Sequence, residues 1–258
     1  MWAVHDTLSL VRLPPIITWL RPIYSDTYFS FKGYHGVEGA VALTIDDGLC
    51  RQADKASCSM AKEVRALLKQ HNAQATFFLV SRFTEGMDED LRGLLKDGHE
   101  FGNHGIRDMS MASLSEDEFE EQLLAANSRL APFVGATRRI QWFRAPMGRY
   151  TRAMRRVLQR HGMQHALGDC YCDDYCVPDA QWVASSLLSQ ASAGSVVILH
   201  MPERGHWEHT YEALRLLLEG LRERGLRAVT MSKLQELAAL DEDLRQHGSG
   251  PSVCFCGR

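Results

Sequence analysis

Short apolar runs alternate with amphipathic stretches along most of the chain. The apolar runs predict buried strands at residues 40–45, 74–80, 99–103, 140–143, 164–167, 195–199 and 227–230. Apolar residues at helical spacing predict helices at 60–70, 89–96, 114–130, 150–160 and 211–224, with a short helix after the last strand. Because strands and helices alternate, we predict an α/β fold with a parallel sheet, and the number of units favours a barrel. Ser115 and Glu118 predict a capping box at the start of the helix at 114–130.

The length of the chain favours one domain. It has 258 residues, and a (β/α) barrel commonly forms a single domain of about 250 residues. No internal repeat, low-complexity run or long linker divides the sequence. We therefore predict the main domain at 40–240, preceded by an extension at 1–39 that packs on the barrel. Residues 241–258 are predicted to form a polar, disordered tail.

Charge and composition narrow the classes of partner. The net charge is −3 and the pI is near 6.4, so the chain lacks the basic excess that nucleic acids and anionic membranes attract. Asp6, Arg12, Pro14 and Pro15 interrupt the apolar residues of segment 1–20, which argues against a secretory signal and against a membrane span. We predict a cytoplasmic protein that binds a glycan or a small molecule.

The cysteines fall into three groups. They are Cys50 with Cys58, Cys170 with Cys172 and Cys176, and Cys254 with Cys256. The second and third groups could share a metal, but their C-x-C spacing differs from the C-x₂-C pairs of common zinc modules. Free thiols in a reducing compartment are the favoured interpretation.

Polar residues follow the ends of several predicted strands. They are Asp46, Asp47, His104, Arg144 and His200. In a parallel barrel the catalytic groups lie at the carboxyl ends of the strands. A single polar residue there could be a solvated strand end, but five at one rim favour an active site.

The acidic pair and the loop histidine are candidates for a metal site. Adjacent strand residues point to opposite faces, so Asp46 and Asp47 should have different roles, one binding a metal and the other acting as base. The alternative is a strand end with an Asp-Gly turn. If a helical turn begins near His104, this residue and Asp108 lie on one face and could share a metal. The alternative is a loop histidine beside an ordinary acid.

Arg144 and His200 are candidates for acid–base chemistry. Arg144 precedes a loop with proline and glycine and could pair with a carboxylate, lowering the pKa of that carboxylate. His200 ends an apolar run and is placed to act as a general acid. Taken alone, Arg144 could be a surface residue and His200 a core histidine.

Five segments, in order, resemble the polysaccharide deacetylase family, also called NodB homology or carbohydrate esterase family 4. They are 44–48 (TIDDG), 74–80 (QATFFLV), 98–104 (GHEFGNH), 143–148 (FRAPMG) and 197–200 (VILH). The likeness runs from about residue 40 to residue 237. It implies a distorted, TIM-like (β/α) barrel and a metal-dependent deacetylase of carbohydrates, with zinc as the usual metal.

The resemblance implies a role for each matching residue. Asp46 would be the general base, oriented by Arg144, and His200 would protonate the leaving amine or alcohol. Asp47 and His104 would bind the metal, which would polarise the acetyl carbonyl. A backbone N–H near Met147 would assist at the oxyanion.

Two positions depart from the family pattern. The family's usual third ligand is a histidine where this chain has Asp108, and we predict that Asp108 binds the metal, giving a harder donor set. The fourth motif usually has an acidic residue followed by tryptophan, whereas this chain has Asp174 followed by Tyr175. We predict that Asp174 orients His200 and raises its pKa, with Asp173 as the second choice.

Three functions stay open on the sequence alone. The first is removal of N- or O-linked acetyl groups from a carbohydrate. The second is amide hydrolysis of a small non-sugar substrate, such as a cyclic amide or a formyl group, and the third is carbohydrate binding without catalysis. The set of Asp46, Arg144 and His200 argues against the third, because sugar binding requires no base and acid. In the loop after His200, His206 and His209 are interpreted as surface residues or as contacts at the edge of the substrate, and Trp207 between them could stack on a sugar ring.

Overall fold

The computed structural model of the chain describes residues 26–135 and 139–247, with side chains up to residue 240. Within these ranges the backbone forms eight strands. They are β1 Thr27–Tyr28, β2 Ala40–Asp47, β3 Thr76–Leu79, β4 Glu100–Asn103, β5 Trp142–Phe143, β6 Gln164–Ala166, β7 Val196–His200 and β8 Arg227–Val229. All seven predicted strands are therefore confirmed, and β1 is an addition.

Helices follow most of the strands. In the same ranges they are α1 Lys55–Cys58, α2 Ala61–Gln70, α3 Asp88–Lys96, α4 Glu116–Val134, α5 Arg152–Arg160, α6 Ala180–Gln190, α7 His209–Glu223 and α8 Met231–His247. The start of α4 shows the predicted capping box. The Ser115 side chain accepts from the backbone N–H of Glu118, whose carboxylate accepts from the backbone N–H of Ser115.

The strands form one parallel sheet that curves into a barrel. Their order is β1-β6-β5-β4-β3-β2-β7, and β8 also pairs with β2. Ser30, just after β1, forms an isolated bridge with Ser195, just before β7. The backbone N–H of Phe31 donates to the carbonyl of Gly194 at 2.7 Å. The segment after β1 thus connects the two edge strands, β1 and β7. The predicted distorted (β/α) barrel is confirmed.

Strand β2 lies in the middle of the core, and all eight of its residues are buried. This is expected of a parallel strand that is covered on both faces. Leu43 and Ile45 share a hydrophobic cluster with residues of the surrounding helices, whereas Ala42 belongs to a second cluster that includes Trp142. By the same alternation Asp46 faces the second side, at the carboxyl end of the strand.

Two helices differ from the expectation. Helix α6 was not predicted, because only Val183, Ala184 and Leu187 are buried on it and serines interrupt its apolar pattern. The predicted short final helix is instead α8, which continues to His247. The predicted disordered tail is therefore wrong for residues 241–247, because leucine, glutamine and arginine there extend an existing helix at little cost. Residues 248–258 lie outside the described residues.

The extension at 1–39 is described only from residue 26. There β1 pairs with β6, with Thr27 opposite His165, and Phe29 and Phe31 are buried. The domain bounds themselves stay a prediction. Among the helices that the structure describes, none is long and apolar enough to span a membrane.

Candidate active site

The carboxyl ends of the strands surround a cavity of about 560 Å³. Six of the seven predicted site residues line it: Asp46, Asp47, His104, Asp108, Arg144 and His200. The seventh, Asp174, is buried behind His200. The fold therefore brings together polar residues that are far apart in the sequence, and their chemical roles stay predictions.

Asp46 and Arg144 form a buried ion pair on the cavity wall. Nη1 of Arg144 lies 2.5 Å from Oδ1 of Asp46 and donates to Oγ1 of Thr44 at 2.8 Å. Nε and Nη2 of Arg144 donate to the carbonyl oxygens of Ala166 and Leu167 at 3.3 and 3.2 Å. Because its donors are engaged on several sides, the guanidinium has one orientation, and it fixes the Asp46 carboxylate.

His200 and Asp174 form the second buried pair. Nδ1 of His200 lies 2.8 Å from Oδ1 of Asp174, and the backbone N–H of His200 donates to Oδ2 at 2.7 Å. Burial opposes the charged imidazolium, but the charge and hydrogen bond of Asp174, with the charges of Asp47 and Asp46, outweigh it and raise the pKa of His200 to about 9. His209, predicted to be an edge residue, has Nε2 2.7 Å from the Asp174 carbonyl oxygen, so it helps to hold this loop.

Asp47 faces the same cavity as Asp46. The expectation that adjacent strand residues point to opposite faces is wrong for this pair, because both line the cavity. The cause is the backbone: Asp47 has a φ of 77°, in the left-handed region, and Gly48 follows with a φ of 122°. Burial raises the pKa of Asp47, against the opposing charges of His200 and His104, and a buried carboxylate is stabilised by a nearby cation.

His104 and Asp108 reach the cavity from a loop. The conditional prediction of a helical turn at 104–108 is wrong, because the chain bends there and Gly105 has a φ of 86°. Nδ1 of His104 lies 2.8 Å from the Arg144 carbonyl oxygen, which favours a proton on Nδ1 and leaves Nε2 as the electron-pair donor. This Nε2 lies 3.7 Å from Oδ1 of Asp47.

The donor atoms of His104 and Asp47 fit neighbouring positions around one divalent cation. A separation of 3.7 Å suits two ligands that are each about 2.0–2.2 Å from the metal. Asp108 is not beside them, and within the side chains that the structure describes, no three His, Cys, Asp or Glu residues form a metal-binding group. The guanidinium of Arg51 lies between, 2.8 Å from Asp47 and 3.5 Å from Asp108.

Sequence reasoning missed Arg51 and Glu203. Glu203 is buried and accepts hydrogen bonds from the backbone N–H of Arg51 at 3.0 Å and from Sγ of Cys50 at 3.2 Å. Arg51 lies in a loop without hydrophobic periodicity, so no pattern indicated it. The signal for Glu203 was its position three residues after His200, in a loop at the same rim.

Aromatic residues surround His200 at the mouth of the cavity. The rings of Tyr175 and Trp207 lie 5.5 and 5.4 Å from its imidazole, measured between ring centres. The guanidinium carbon of Arg51 lies 4.1 Å from the centre of the Trp207 ring. Met147 lines the same cavity, with a φ of 57° and an exposed side chain. These rings stand at steep angles to one another and give the mouth of the cavity an apolar, aromatic lining.

The described cysteines are free thiols, as predicted. Burial raises the pKa of Cys50 and of Cys172 to about 12, so both are protonated near neutral pH and are poor nucleophiles and metal ligands. Cys254 and Cys256 lie outside the described residues.

The paired carboxylate, arginine and histidine side chains lie at the carboxyl ends of the barrel strands, where active sites are found in this architecture. The family model for polysaccharide deacetylase matches residues 34–166, just over half of the 258 residues. The chain belongs to the polysaccharide deacetylase family, and the resemblance seen in its motifs is confirmed.

Curated relatives are similar over most of the chain. A peptidoglycan-N-acetylglucosamine deacetylase of Bacillus cereus is 25% identical over 206 residues, which cover 80% of this chain and 71% of the relative. A second peptidoglycan-N-acetylglucosamine deacetylase of Bacillus cereus is 27% identical, with 76% and 88% covered. A chitooligosaccharide deacetylase of Azorhizobium caulinodans is 26% identical, with 73% and 90% covered.

Solved structures share the fold. A peptidoglycan N-acetylglucosamine deacetylase superposes with a TM-score of 0.70 at 24% identity, covering 81% of this chain and 92% of the other. A carbohydrate esterase family 4 pseudoenzyme from Bacillus anthracis superposes with a TM-score of 0.67 at 21% identity, covering 81% and 68%. Because this fold includes a pseudoenzyme, activity must be argued from the site residues.

Proposed function

We propose that this chain is a metal-dependent hydrolase that removes N- or O-linked acetyl groups from a carbohydrate. The observation that carries the proposal is the pair of buried contacts beside one cavity, Asp46 with Arg144 and His200 with Asp174. Together they offer a carboxylate base and a protonated imidazole acid to one substrate-sized space. Relatives named as peptidoglycan and chitooligosaccharide deacetylases support an acetylated sugar as substrate.

Asp46 acts as the base. As the oxygen of the attacking water bonds to the acetyl carbon, Asp46 accepts the water's proton. Arg144 holds the carboxylate in one orientation through the contact at 2.5 Å. A backbone N–H near Met147 donates to the carbonyl oxygen as that oxygen becomes negative.

His200 acts as the acid. It gives its proton to the leaving nitrogen or oxygen as the bond to the acetyl carbon breaks, so the products are acetate and a free amine or hydroxyl. Asp174 stabilises the imidazolium, because its carboxylate contacts Nδ1 at 2.8 Å and is the largest contributor to the raised pKa of His200, which is about 9. The histidine is therefore protonated at neutral pH before the reaction begins.

Asp47, His104 and Asp108 would hold the metal. Deacetylases of this family are in general metal-dependent, and the one imidazole and two carboxylates suit zinc or a harder divalent ion. When bound, such an ion polarises the acetyl carbonyl and lowers the pKa of water. The buried Asp47 carboxylate and the His104 Nε2, 3.7 Å apart, support this assignment.

Hydrolysis of a small amide and sugar binding without catalysis stay as alternatives, and no contact at the site favours either. Trp207 and Tyr175 beside His200 support a sugar ring as the bound group. The predicted cytoplasmic location also stays a prediction, because segment 1–20, on which it rests, lies outside the described residues.

Metal content and acetate release test the proposal together. Zinc is measured by elemental analysis in the wild-type protein, in Asp47→Ala and in the surface control Asp88→Ala. Each protein is then incubated with N-acetylated chitooligosaccharides, and acetate is quantified. We expect about one equivalent of zinc and acetate release in wild type and control, and loss of both in Asp47→Ala.

The same experiment separates the alternatives. Metal without acetate release from any acetylated sugar would favour a small-amide substrate or a binding protein. Absence of metal from all three proteins, even after reconstitution with zinc, would contradict the proposed metal site.

A further inference from the structure

One arginine faces three carboxylates on the metal side of the cavity. Nη2 of Arg51 lies 2.8 Å from Oδ2 of Asp47, and Nη1 lies 3.5 Å from Oδ2 of Asp108. Nε lies 3.5 Å from Oε1 of Glu203, which is too far for a hydrogen bond, and this Nε is buried without a hydrogen-bond partner. Asp47 and Glu203 are both buried, so this guanidinium lies among carboxylates that have lost most of their contact with water.

Several contacts hold Arg51 in this position. Its backbone N–H donates to Glu203 at 3.0 Å. Its guanidinium carbon lies 4.1 Å from the centre of the Trp207 ring and 5.3 Å from that of Phe83, within the range of cation–π attraction. The side chain is only 21% exposed, so its ion pairs are less screened than those of a surface arginine.

We propose that Arg51 is a built-in counter-ion that competes with the divalent metal for Asp47 and Asp108. The inference rests on the proposed function, which assigns both carboxylates to the metal. In the metal-free protein Arg51 compensates the buried charge of Asp47. Metal binding requires the guanidinium to leave its place between the two carboxylates, so Arg51 lowers the affinity of the site for metal.

The two oxygens of Asp47 have different neighbours. Oδ1 lies 3.7 Å from the Nε2 of His104, whereas Oδ2 is bound by Arg51. The same guanidinium separates Asp108 from the other two residues. A divalent ion near this position would also repel the arginine, because two cations a few ångströms apart interact strongly in a partly buried site.

Glu203 provides a second partner for the displaced arginine. It already contacts the backbone of Arg51 and the side chain of Cys50, and it is not among the residues that line the cavity. Arg51 can therefore move toward Glu203 without losing all of its ion pairing. On this proposal, Arg51 exchanges its contact with Asp47 for a contact with Glu203 when the metal binds.

The test measures zinc affinity in Arg51→Gln. The dissociation constant is obtained by competition with a chelating indicator, for wild type, for Arg51→Gln and for the matched control Arg215→Gln. Arg215 forms ion pairs with Glu212 and Glu219 on α7, away from the cavity. We expect zinc to bind Arg51→Gln about tenfold more tightly than wild type, and the control to be unchanged.

Thermal unfolding provides a second readout. Without metal, Arg51→Gln should melt at a lower temperature than wild type, because the buried Asp47 loses its cation. Zinc should then raise the melting temperature of Arg51→Gln by more than that of wild type. Glu203→Gln should change affinity in the opposite direction, binding zinc more weakly, because the displaced arginine loses its second partner.

Each outcome decides a different question. Equal or weaker zinc binding by Arg51→Gln, with normal binding by wild type, would overturn the inference and leave the proposed function intact. No zinc binding by wild type and Arg51→Gln would overturn both. If Arg51→Gln does not fold, unchanged or tighter zinc binding by Glu203→Gln would overturn the inference.

Discussion

The two sides of the cavity compensate their buried charges in different ways. On the acid–base side, Asp46 and His200 each have one fixed protein partner, Arg144 and Asp174. On the metal side, the carboxylates share the single guanidinium of Arg51. The first side has fixed protein partners, whereas on our proposal the partner of the second side is replaced by a metal.

This difference follows from where the residues lie. Asp46 and His200 are paired residues on the neighbouring strands β2 and β7, and Arg144 directly follows β5. Arg51 and Asp108 lie in loops, which adjust more easily than packed strands. We therefore expect substitutions on the strand side to change the rate, and substitutions on the loop side to change metal affinity.

The largest effect is expected for Asp46→Asn. The amide keeps the shape of the side chain but cannot accept the proton from water, so kcat should fall by roughly 10²- to 10⁴-fold. Zinc content should stay near the wild-type value. Acetate release and elemental analysis on the same preparation check both parts.

Asp97→Asn is the control for Asp46→Asn, because Asp97 pairs with Arg65 far from the cavity and should keep full activity. Activity near the wild-type level in Asp46→Asn would remove Asp46 as the base. Loss of zinc together with activity would instead indicate that Asp46 helps to bind the metal.

Asp174→Asn should shift the pH dependence of the reaction. The acid form of His200 is lost as pH rises through its pKa, which is raised from 6.5 to about 9, with Asp174 as the largest contributor. If the pKa returns to about 6.5 in the variant, the protonated fraction at pH 8 falls about thirtyfold. The alkaline limb of the kcat profile should therefore move to lower pH.

Asp173→Asn is the matched control, since Asp173 was the second choice from the sequence and is an exposed neighbour of Asp174. A raised pKa in the folded state stabilises the protein below pH 6.5, and that contribution is lost as pH rises through about 9. Asp174→Asn should thus lose more stability at pH 6 than at pH 10. An alkaline limb that moves in Asp173→Asn instead would reassign the partner of His200.

Asp108→Ala should weaken zinc binding by about tenfold. Asp108 contacts Arg51 in the present structure, so we expect the arginine to reduce the contribution of Asp108 to zinc affinity. In the Arg51→Gln background the same substitution should therefore cost more, which a double-mutant cycle of zinc affinities measures. Equal dissociation constants with and without Asp108, in both backgrounds, would make Asp108 a bystander at the site.

The acid–base side was predictable from the sequence, and the metal side was predictable only in part. Asp46, Arg144 and His200 each end an apolar run, and strand ends meet at one rim in a parallel barrel. The convergence of Asp47 on the same cavity depends on a φ of 77°, which alternation along a strand does not predict. The position of Arg51 depends on loop conformation, for which hydrophobic periodicity carries no information.

The smallest effect is expected for Thr44→Val. Thr44 accepts from Nη1 of Arg144 at 2.8 Å and donates to the Val197 carbonyl at 2.6 Å. Without the hydroxyl, Arg144 keeps its bond to Asp46 but has one fewer restraint, so kcat should fall a few-fold and unfolding free energy by about 1–2 kcal/mol.

Thr76→Val separates these two effects, because Thr76 pairs with Thr44 in the register of β2 and β3. Its hydroxyl is equally buried but contacts Glu100 and the backbone of Met231, away from Arg144. Both variants should lose similar stability in chemical denaturation, and only Thr44→Val should lose turnover. An equal loss of turnover in both variants would mean that turnover depends on the stability of the barrel and not on the orientation of Arg144.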